Sequence, residues 1–265
     1  MLYNTLDITK QSFHQMMNRW LEHESMARQI IQMVHRIRKD HPTMGIRDIY
    51  FKLQPEGLGR DGFEAICRSE GLMSIRVKNW TRTTDSTGVI RFNDLTKGLI
   101  VNKIDQVWQS DITYFEISGR FYYITFIQDI YTKMIVGHST SRSLLTEETT
   151  LPALKKAIQK RNKNLEGLIF HSDGGGQYYS KKFLALTMSQ KIANSMCEYA
   201  WENGTAERLN GVIKNNYLKH RQIGDFDKLK KEVDHAVKLY NCDKPHKALK
   251  RKTPQMFENE LLLLH

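Results

Sequence analysis

The stretch VWQSDITYFEI, residues 107–117, decides the fold. It is rich in aromatic and β-branched residues, which is the composition typical of a β-strand. A turn at residues 119–120 follows it, and similar segments occupy residues 121–130 and 134–139. The pattern predicts an antiparallel meander of three strands. Asp111 lies inside the first strand among apolar neighbours, where an unpaired charge is costly, although a surface-facing strand aspartate is the plain alternative.

Helical and strand-like segments alternate after this meander. Short buried strands are predicted over 168–170 and 192–197. Helices are predicted over 146–161, 180–191, 203–220 and 225–241. A meander followed by alternating helices and strands is the order expected of an α/β ribonuclease-H-like core, a mixed five-stranded sheet with flanking helices.

The first 80 residues predict a small all-α region instead. A turn over residues 8–13 leads into a short helix, and a longer amphipathic helix then ends near His41-Pro42. Further helices begin at Gly45 and at Arg60. Short helices with tight turns and scattered arginines, Arg47 among them, resemble a helix-turn-helix that binds DNA. A helical packing module without DNA contact is the alternative.

The sequence predicts four segments. Residues 1–80 form the helix-turn-helix-like region, and the polar, aperiodic residues 81–103 form a linker. Residues 104–222 form the ribonuclease-H-like core, and residues 223–265 form a basic helical extension. Within that extension, Lys250 and Arg251 are candidate DNA contacts, with solubilising surface charge as the alternative.

Bulk composition narrows the classes of partner. The 265 residues carry a formal net charge of +11, which favours a polyanion such as nucleic acid over a basic protein without one. The three cysteines are widely spaced and indicate neither a zinc knuckle nor a disulfide framework, so a reducing cytoplasm fits. No signal peptide or membrane-spanning run is apparent, and we expect no membrane partner.

Three acidic residues follow or occupy successive predicted elements. Asp111 lies in the first strand, Asp173 follows the fourth, and Glu207 lies in the first turns of a helix. Taken singly, Asp173 could be a turn residue and Glu207 a helix-start residue favoured by the helix dipole. Taken together, carboxylates converging on one sheet edge suit phosphoryl transfer with two magnesium ions.

The sequence resembles the insertion-sequence-three family of bacterial transposases, in its second-frame type, which shares the integrase core of retroviruses. The resemblance covers nearly the whole chain. The matching residues are Trp108, Asp111 and Thr113; His171, Ser172, Asp173, Gly175, Gln177 and Tyr178; Asn203 and Glu207; Tyr240, Asn241, Pro245 and His246; and Thr253 and Pro254.

This resemblance implies a function and its site. Asp111, Asp173 and Glu207 would be the DDE catalytic triad, holding two Mg²⁺ or Mn²⁺ ions. The protein would cut DNA at the terminal inverted repeats of an insertion sequence and join the ends to each other and to target DNA. It would work as a homo-oligomer in the bacterial cytoplasm, associated with the nucleoid, with an upstream first-frame protein as partner or fusion.

Some positions depart from the family pattern. The interval between Asp173 and Glu207 is two residues shorter than usual, and Asn216 stands where a glutamate is common. Glu202 stands where the family usually has an aspartate before the asparagine, and it is therefore a rival third carboxylate. Asp129 is the other rival, although we expect it to have a structural role, paired with Lys133 or Arg142.

Further candidate DNA contacts surround the triad. Lys214 lies two helical turns after Glu207, on the same face, and family members often carry a basic residue there that contacts DNA. Asn210 lies one turn after Glu207 and could touch DNA or make a local hydrogen bond. His171 could face the same side as Asp173, either orienting it or contacting substrate, or it could be a packed strand histidine.

Two other functions compete with the transposase. One is a DNA-binding regulator or domesticated architectural protein that has lost catalysis, which the presence of all three carboxylates disfavours. The other is a plain ribonuclease-H-type nuclease, which the basic helical regions on both sides of the core disfavour.

Overall fold

The computed structural model describes residues 9–73, 92–162, 164–197 and 203–263. The chain forms two compact units, Met1–Val77 and Lys78–His265. The predicted linker lies partly outside the described residues, and the four segment boundaries remain predictions. No helix in the described part is long and apolar enough to cross a membrane.

The N-terminal unit contains three helices, α1 (Lys10–Asp40), α2 (Ile46–Leu53) and α3 (Arg60–Ser69). The two helices expected before His41 are one continuous helix of 31 residues. Thr9 caps its start by accepting a hydrogen bond from the Ser12 amide at 3.1 Å. Because no glycine or proline interrupts residues 10–40, nothing in the sequence stops the helix earlier.

The N-terminal helices share one apolar core. Ile30 and Val34 of α1, Ile49 of α2, and Phe63 and Cys67 of α3 are all buried in it. The amphipathic face that the sequence predicts around residue 30 is therefore the face that packs against the other two helices.

The second unit contains a mixed five-stranded sheet in the order β3-β2-β1-β4-β5. The strands are β1 (Val107–Ile117), β2 (Arg120–Asp129), β3 (Ile135–Ser141), β4 (Ile169–Ser172) and β5 (Ala193–Met196). Strands β1, β2 and β3 pair antiparallel, while β4 pairs parallel with both β1 and β5. This confirms the predicted meander and the predicted ribonuclease-H-like sheet.

Helices cover both faces of the sheet. They are α4 (Thr150–Arg161), α5 (Lys181–Ser189), α6 (Gly204–Asn216), α7 (Phe226–Cys242) and α8 (Pro254–Leu263). Helices α6 and α7 share a core cluster with Ile124 and Phe126 of β2. Helices α4 and α5 share the other with Ile127, the next residue of β2. Neighbouring strand residues thus point to opposite layers, as the pleat requires.

Helix α7 is part of this core, although the sequence predicts a basic extension there. Leu229, Val233 and Ala236 are buried against the sheet. At its end, the Asn241 side-chain amide donates to the Ile135 carbonyl and accepts from the Ile135 amide, both at 2.9 Å. Because β3 is an edge strand, this side chain satisfies two backbone groups that a neighbouring strand would otherwise pair.

Candidate active site

Two of the three carboxylates are brought together by strand register. Strands β1 and β4 are parallel neighbours, and Ser110 pairs with Ser172. Asp111 follows Ser110 within β1, and Asp173 follows Ser172 directly after the end of β4, so the two aspartates lie level with each other, at about the 5 Å spacing of neighbouring strands. Residues 62 positions apart in the sequence thereby share one site.

Each aspartate is held by defined hydrogen bonds. Asp111 Oδ1 accepts from the Ile112 amide at 2.8 Å, and its Oδ2 accepts from Asn210 Nδ2 at 2.7 Å. Asp173 Oδ1 accepts from the Gly175 amide at 3.2 Å. These bonds fix the orientation of both carboxylates without neutralising their charge.

Burial and mutual repulsion make the aspartates weak acids. Loss of hydration, followed by the charge of Asp173, raises the pKa of Asp111 from 3.8 to about 7. Loss of hydration also raises the pKa of Asp173, with a further contribution from Glu207. Among the described residues, no cation forms an ion pair with these two carboxylates or with Glu207.

Glu207 lies in the first turn of α6, on the exposed side of the helix. Its charge raises the pKa of both Asp111 and Asp173, which places it in their neighbourhood. Within the described part of the chain, however, no three His, Cys, Asp or Glu side chains are grouped tightly enough to hold a metal ion.

The chemistry of the aspartate pair nevertheless suits a divalent cation. Two like charges with raised pKa lie side by side, and their oxygens are the ligands that Mg²⁺ prefers. A bound cation would remove the repulsion that keeps these acids weak. The residues present therefore fit Mg²⁺ or Mn²⁺.

Helix α6 is fastened to β1 beside the site by Asn203, just before the helix. Asn203 Nδ2 donates to the Ser110 carbonyl at 3.1 Å, and its Oδ1 accepts from the Gln109 side chain. On the other side, Tyr178 Oη lies 3.0 Å from Ser110 Oγ. The family motifs contain Asn203 and Tyr178, but the sequence assigns neither a role. Their closeness in sequence to Glu207 and Asp173 is the signal that could have indicated one.

Lys214 and Asn210 lie on the face of α6 that meets β1. Lys214 Nζ donates to Thr113 Oγ1 at 3.1 Å and lies 4.8 Å from the centre of the Tyr114 ring. Burial lowers its pKa. Asn210 is buried and binds Asp111 through Nδ2, which realises the local hydrogen bond considered from the sequence. DNA contact by either residue remains a prediction.

The structure places the remaining predicted DNA contacts elsewhere. His171 is 3% exposed, and its Nδ1 lies 3.0 Å from Ser195 Oγ, which favours a packed strand histidine. Arg47 belongs to the N-terminal unit and pairs with Glu64 at 2.6 Å. Lys250 and Arg251 have left-handed backbone conformations, with φ of 52° and 68°. DNA contact by these four residues remains a prediction.

Asp129 has the structural role expected of it, but with a different main partner. It is fully buried and accepts hydrogen bonds from the Asp105 amide at 2.6 Å and the Thr132 amide at 2.8 Å. Arg161 lies 3.7 Å away, and Lys133 is near enough to feel its charge. The suggested partner Arg142 lies instead over the Phe226 ring. The other rival, Glu202, lies outside the described residues.

Arg161 forms ion pairs with three carboxylates, and the sequence did not predict this cluster. Its guanidinium bonds Asp105 at 2.7 Å and Glu258 of α8 at 3.0 Å, in addition to the ion pair with Asp129. It is almost completely buried with them. This cluster ties α4, α8 and the start of β1 together.

We expect Arg161→Met to lower the free energy of unfolding by about 3 to 5 kcal/mol, because it leaves buried carboxylates without their cation. Urea denaturation followed by circular dichroism measures this change. Lys155→Met on the exposed face of the same helix is the control and should change stability by less than about 0.5 kcal/mol. Equal stability of the two variants would contradict the role assigned to the cluster.

Two models of the integrase core domain match residues 102–200 and 190–254. The transposase for insertion sequence element IS629 of Shigella sonnei is 30% identical over 77% of this chain and 66% of its own length. The uncharacterized 31 kDa protein of insertion element IS600, also of Shigella sonnei, is 25% identical over 91% of this chain and 93% of its own.

Among solved structures, the simian T-cell lymphotropic virus intasome in complex with PP2A regulatory subunit B56 gamma is 18% identical. The match covers 84% of this chain and 73% of that chain, with a TM-score of 0.49.

The sheet order and the matched domain models define an integrase core. The chain belongs to the insertion-sequence-three family of transposases, in its second-frame type. It spans 66% of the length of the IS629 relative.

Proposed function

We propose that the chain is a DNA transposase that cleaves DNA strands at the ends of an insertion sequence and joins them by strand transfer. The observation that carries this proposal is the pair Asp111 and Asp173, level on adjacent parallel strands and unpaired with any cation among the described residues. A purely structural carboxylate pair would be expected to have a cationic partner, as Asp129 has in Arg161.

The reaction breaks and makes phosphodiester bonds. Attack by water on a phosphorus atom at the element end would release a 3′-hydroxyl, and that hydroxyl would then attack a second phosphodiester in the same site. Asp111, Asp173 and Glu207 would hold Mg²⁺ or Mn²⁺, two ions in all. Bound there, the ions would activate the attacking oxygen and stabilise the leaving one.

The chain's own residues would orient this chemistry. Asn210 fixes the Asp111 carboxylate through its 2.7 Å hydrogen bond, and Asn203 holds the start of α6 against β1. Lys214, on the same face, would contact a phosphate of the DNA end. Two DNA ends must be held at once, so a homo-oligomer is proposed, with an upstream first-frame protein as a further partner or fusion.

The test is a joining assay on duplexes that carry the ends of the element encoding the chain, with Mg²⁺ or Mn²⁺. We expect strand-specific nicks and joined products on a denaturing gel. Asp173→Asn and Glu207→Gln should reduce both products at least a thousandfold, by the usual cost of losing a catalytic group. Glu202→Gln and Asp129→Asn are the rival variants.

Each outcome of this assay bears on a different part of the proposal. An inactive Glu202→Gln protein beside an active Glu207→Gln protein would move the third ligand to Glu202. Nicking without joining would indicate a nuclease. DNA binding without any cutting, even with the upstream partner added, would favour the inactive regulator.

A further inference from the structure

Two half-buried lysines, Lys133 and Lys244, are held near each other. Gln128 Nε2 donates to the Lys133 carbonyl and to Tyr240 Oη, each at 2.9 Å. The His246 ring packs edge-on against Tyr240, with the ring centres 4.6 Å apart. This arrangement joins the turn between β2 and β3 to the segment that follows α7, which carries Lys244.

The charges in this region are close enough to repel. Arg208 of α6 lowers the pKa of Lys133. Burial, followed by the charges of Lys244 and Lys133, lowers the pKa of His246 to about 3, so the imidazole is neutral at pH 7. Lys133 therefore lies near Arg208, and both Lys133 and Lys244 lie near His246; these three cations, Lys133, Lys244 and Arg208, are called here the lysine cluster.

Among the described residues, the two ammonium groups of the lysine cluster make no hydrogen bond or ion pair. Burial lowers the pKa of both lysines. The one carboxylate that favours the charged form of Lys133 is Asp129, which is already paired with Arg161. Removing hydration from an ammonium group without supplying an anion costs free energy, so these two charges destabilise the folded state.

The backbone at Lys133 adds a second cost. Its φ is 61°, in the left-handed region, where glycine or asparagine is more favourable. A costly backbone conformation at a residue other than glycine can mark a position that serves a ligand. Packing of the turn does not require a lysine there, because the Gln128 bond uses the backbone carbonyl.

We propose that the lysine cluster binds a phosphodiester group of the DNA strand outside the candidate active site. Arg208 directly follows Glu207 in α6, so the cluster continues the candidate site along the start of that helix. A phosphate would supply the negative charge that these side chains lack. The inference rests on the proposed function, since it assumes that DNA occupies the neighbouring site.

The test is the double substitution of Lys133→Gln and Lys244→Gln, which removes both charges and keeps much of the side-chain length. We expect binding to a short element-end duplex to weaken about tenfold near 0.1 M salt, with the slope of log K against log salt reduced by about 1. Without DNA, the thermal midpoint should stay the same or rise, because a desolvation cost is removed.

Lys155→Gln is the matched control, since Lys155 is exposed on α4, and it should bind DNA like the wild type. The proposal is overturned if the double variant binds with the wild-type affinity and salt slope, or if its thermal midpoint falls along with binding. Stabilisation by inorganic phosphate in the wild type alone, with unchanged DNA binding, would also overturn it in favour of a free-phosphate site.

Binding and salt slope are measured without any cutting, so this result is separate from the joining assay. If the wild type joins DNA ends and the double variant binds DNA normally, only the proposal for the lysine cluster is wrong. If the wild type joins no DNA but its DNA affinity depends on the two lysines, only the proposed transposase reaction is wrong.

Discussion

Asp111→Asn is expected to abolish strand cleavage and joining while making the protein more stable at pH 8. Activity should fall at least a thousandfold, because the variant removes a proposed metal ligand. Stability should rise, because the carboxylate it removes is buried beside Asp173 and close to Glu207, and no cation in the described part of the chain is paired with it. The same property that suits Asp111 to hold a metal therefore destabilises the metal-free protein.

The pH dependence of this effect follows from the pKa of Asp111. The folded value is about 7, above the value of 3.8 for the free side chain. Between these two pH values the folded state keeps a proton that the unfolded state has lost, so the wild type loses stability as the pH rises. By about pH 8 the loss is complete, at about 4 kcal/mol. The variant should therefore match the wild type near pH 4 and exceed it at pH 8.

The side chains around position 111 can accommodate the amide group that Asp111→Asn introduces. Asn210 Oδ1 is buried and has no hydrogen-bond partner among the described residues, while Asn210 Nδ2 donates to Asp111. A flip of the Asn210 amide would present its oxygen to the new amide group. The Ile112 amide could still donate to the remaining oxygen. The side chain at position 111 keeps both hydrogen bonds, and the unsatisfied atom of Asn210 changes from Oδ1 to Nδ2, so the relief of charge should dominate.

Urea unfolding at a series of pH values measures the difference between the two proteins. Asp129→Asn is the control: it is also buried, but it has Arg161 as a cation and two backbone amides as donors. That variant should be less stable than the wild type at pH 8: burial raises the pKa of Asp129 to about 6, but an amide group would leave one of the two backbone donors without an acceptor. Millimolar Mg²⁺ should stabilise the wild type and not Asp111→Asn. Lower stability of Asp111→Asn at pH 8 would contradict the unpaired-carboxylate interpretation.

Gly137→Ala is expected to lower the free energy of unfolding by about 3 kcal/mol. Gly137 lies in β3, where α4 packs directly onto the strand. A Cβ atom there would lie 2.2 Å from the Ala153 carbonyl oxygen and 2.9 Å from Ala157 Cβ. Both atoms belong to the fixed part of the helix, so the helix itself must move away from the sheet, opening the core around Leu154.

Gly211→Ala is the matched control for this change. Gly211 lies inside α6, and the nearest atom to its added Cβ would be Asn215 Nδ2 at 3.9 Å. Alanine is the better helix former, so this variant should gain about 0.5 to 1 kcal/mol. Opposite signs for the same chemical change would show that close packing of strand and helix requires glycine at 137. Equal effects would contradict it.

Much of the fold was accessible from local sequence. The aromatic and β-branched runs predicted the three meander strands and both short strands to within a few residues. Local signals worked because strand pleat and helix period depend on neighbouring residues. The same signals are wrong at α1. The polar residues at its start predict a turn, whereas Thr9 caps one continuous helix. They also missed that α7 is part of the core, because its lysines obscured the apolar face.

The sequence alone identified the carboxylates, because their order along predicted elements and the residues around them match a known motif. Only the tertiary structure decided how they meet: parallel pairing of β1 with β4 brings Asp111 level with Asp173. It also selected Arg161 as the cation for Asp129, and Asn210 as the donor to Asp111. Local propensities act over a few residues, whereas these partners are 32 and 99 positions apart and meet only through packing of the sheet and its helices.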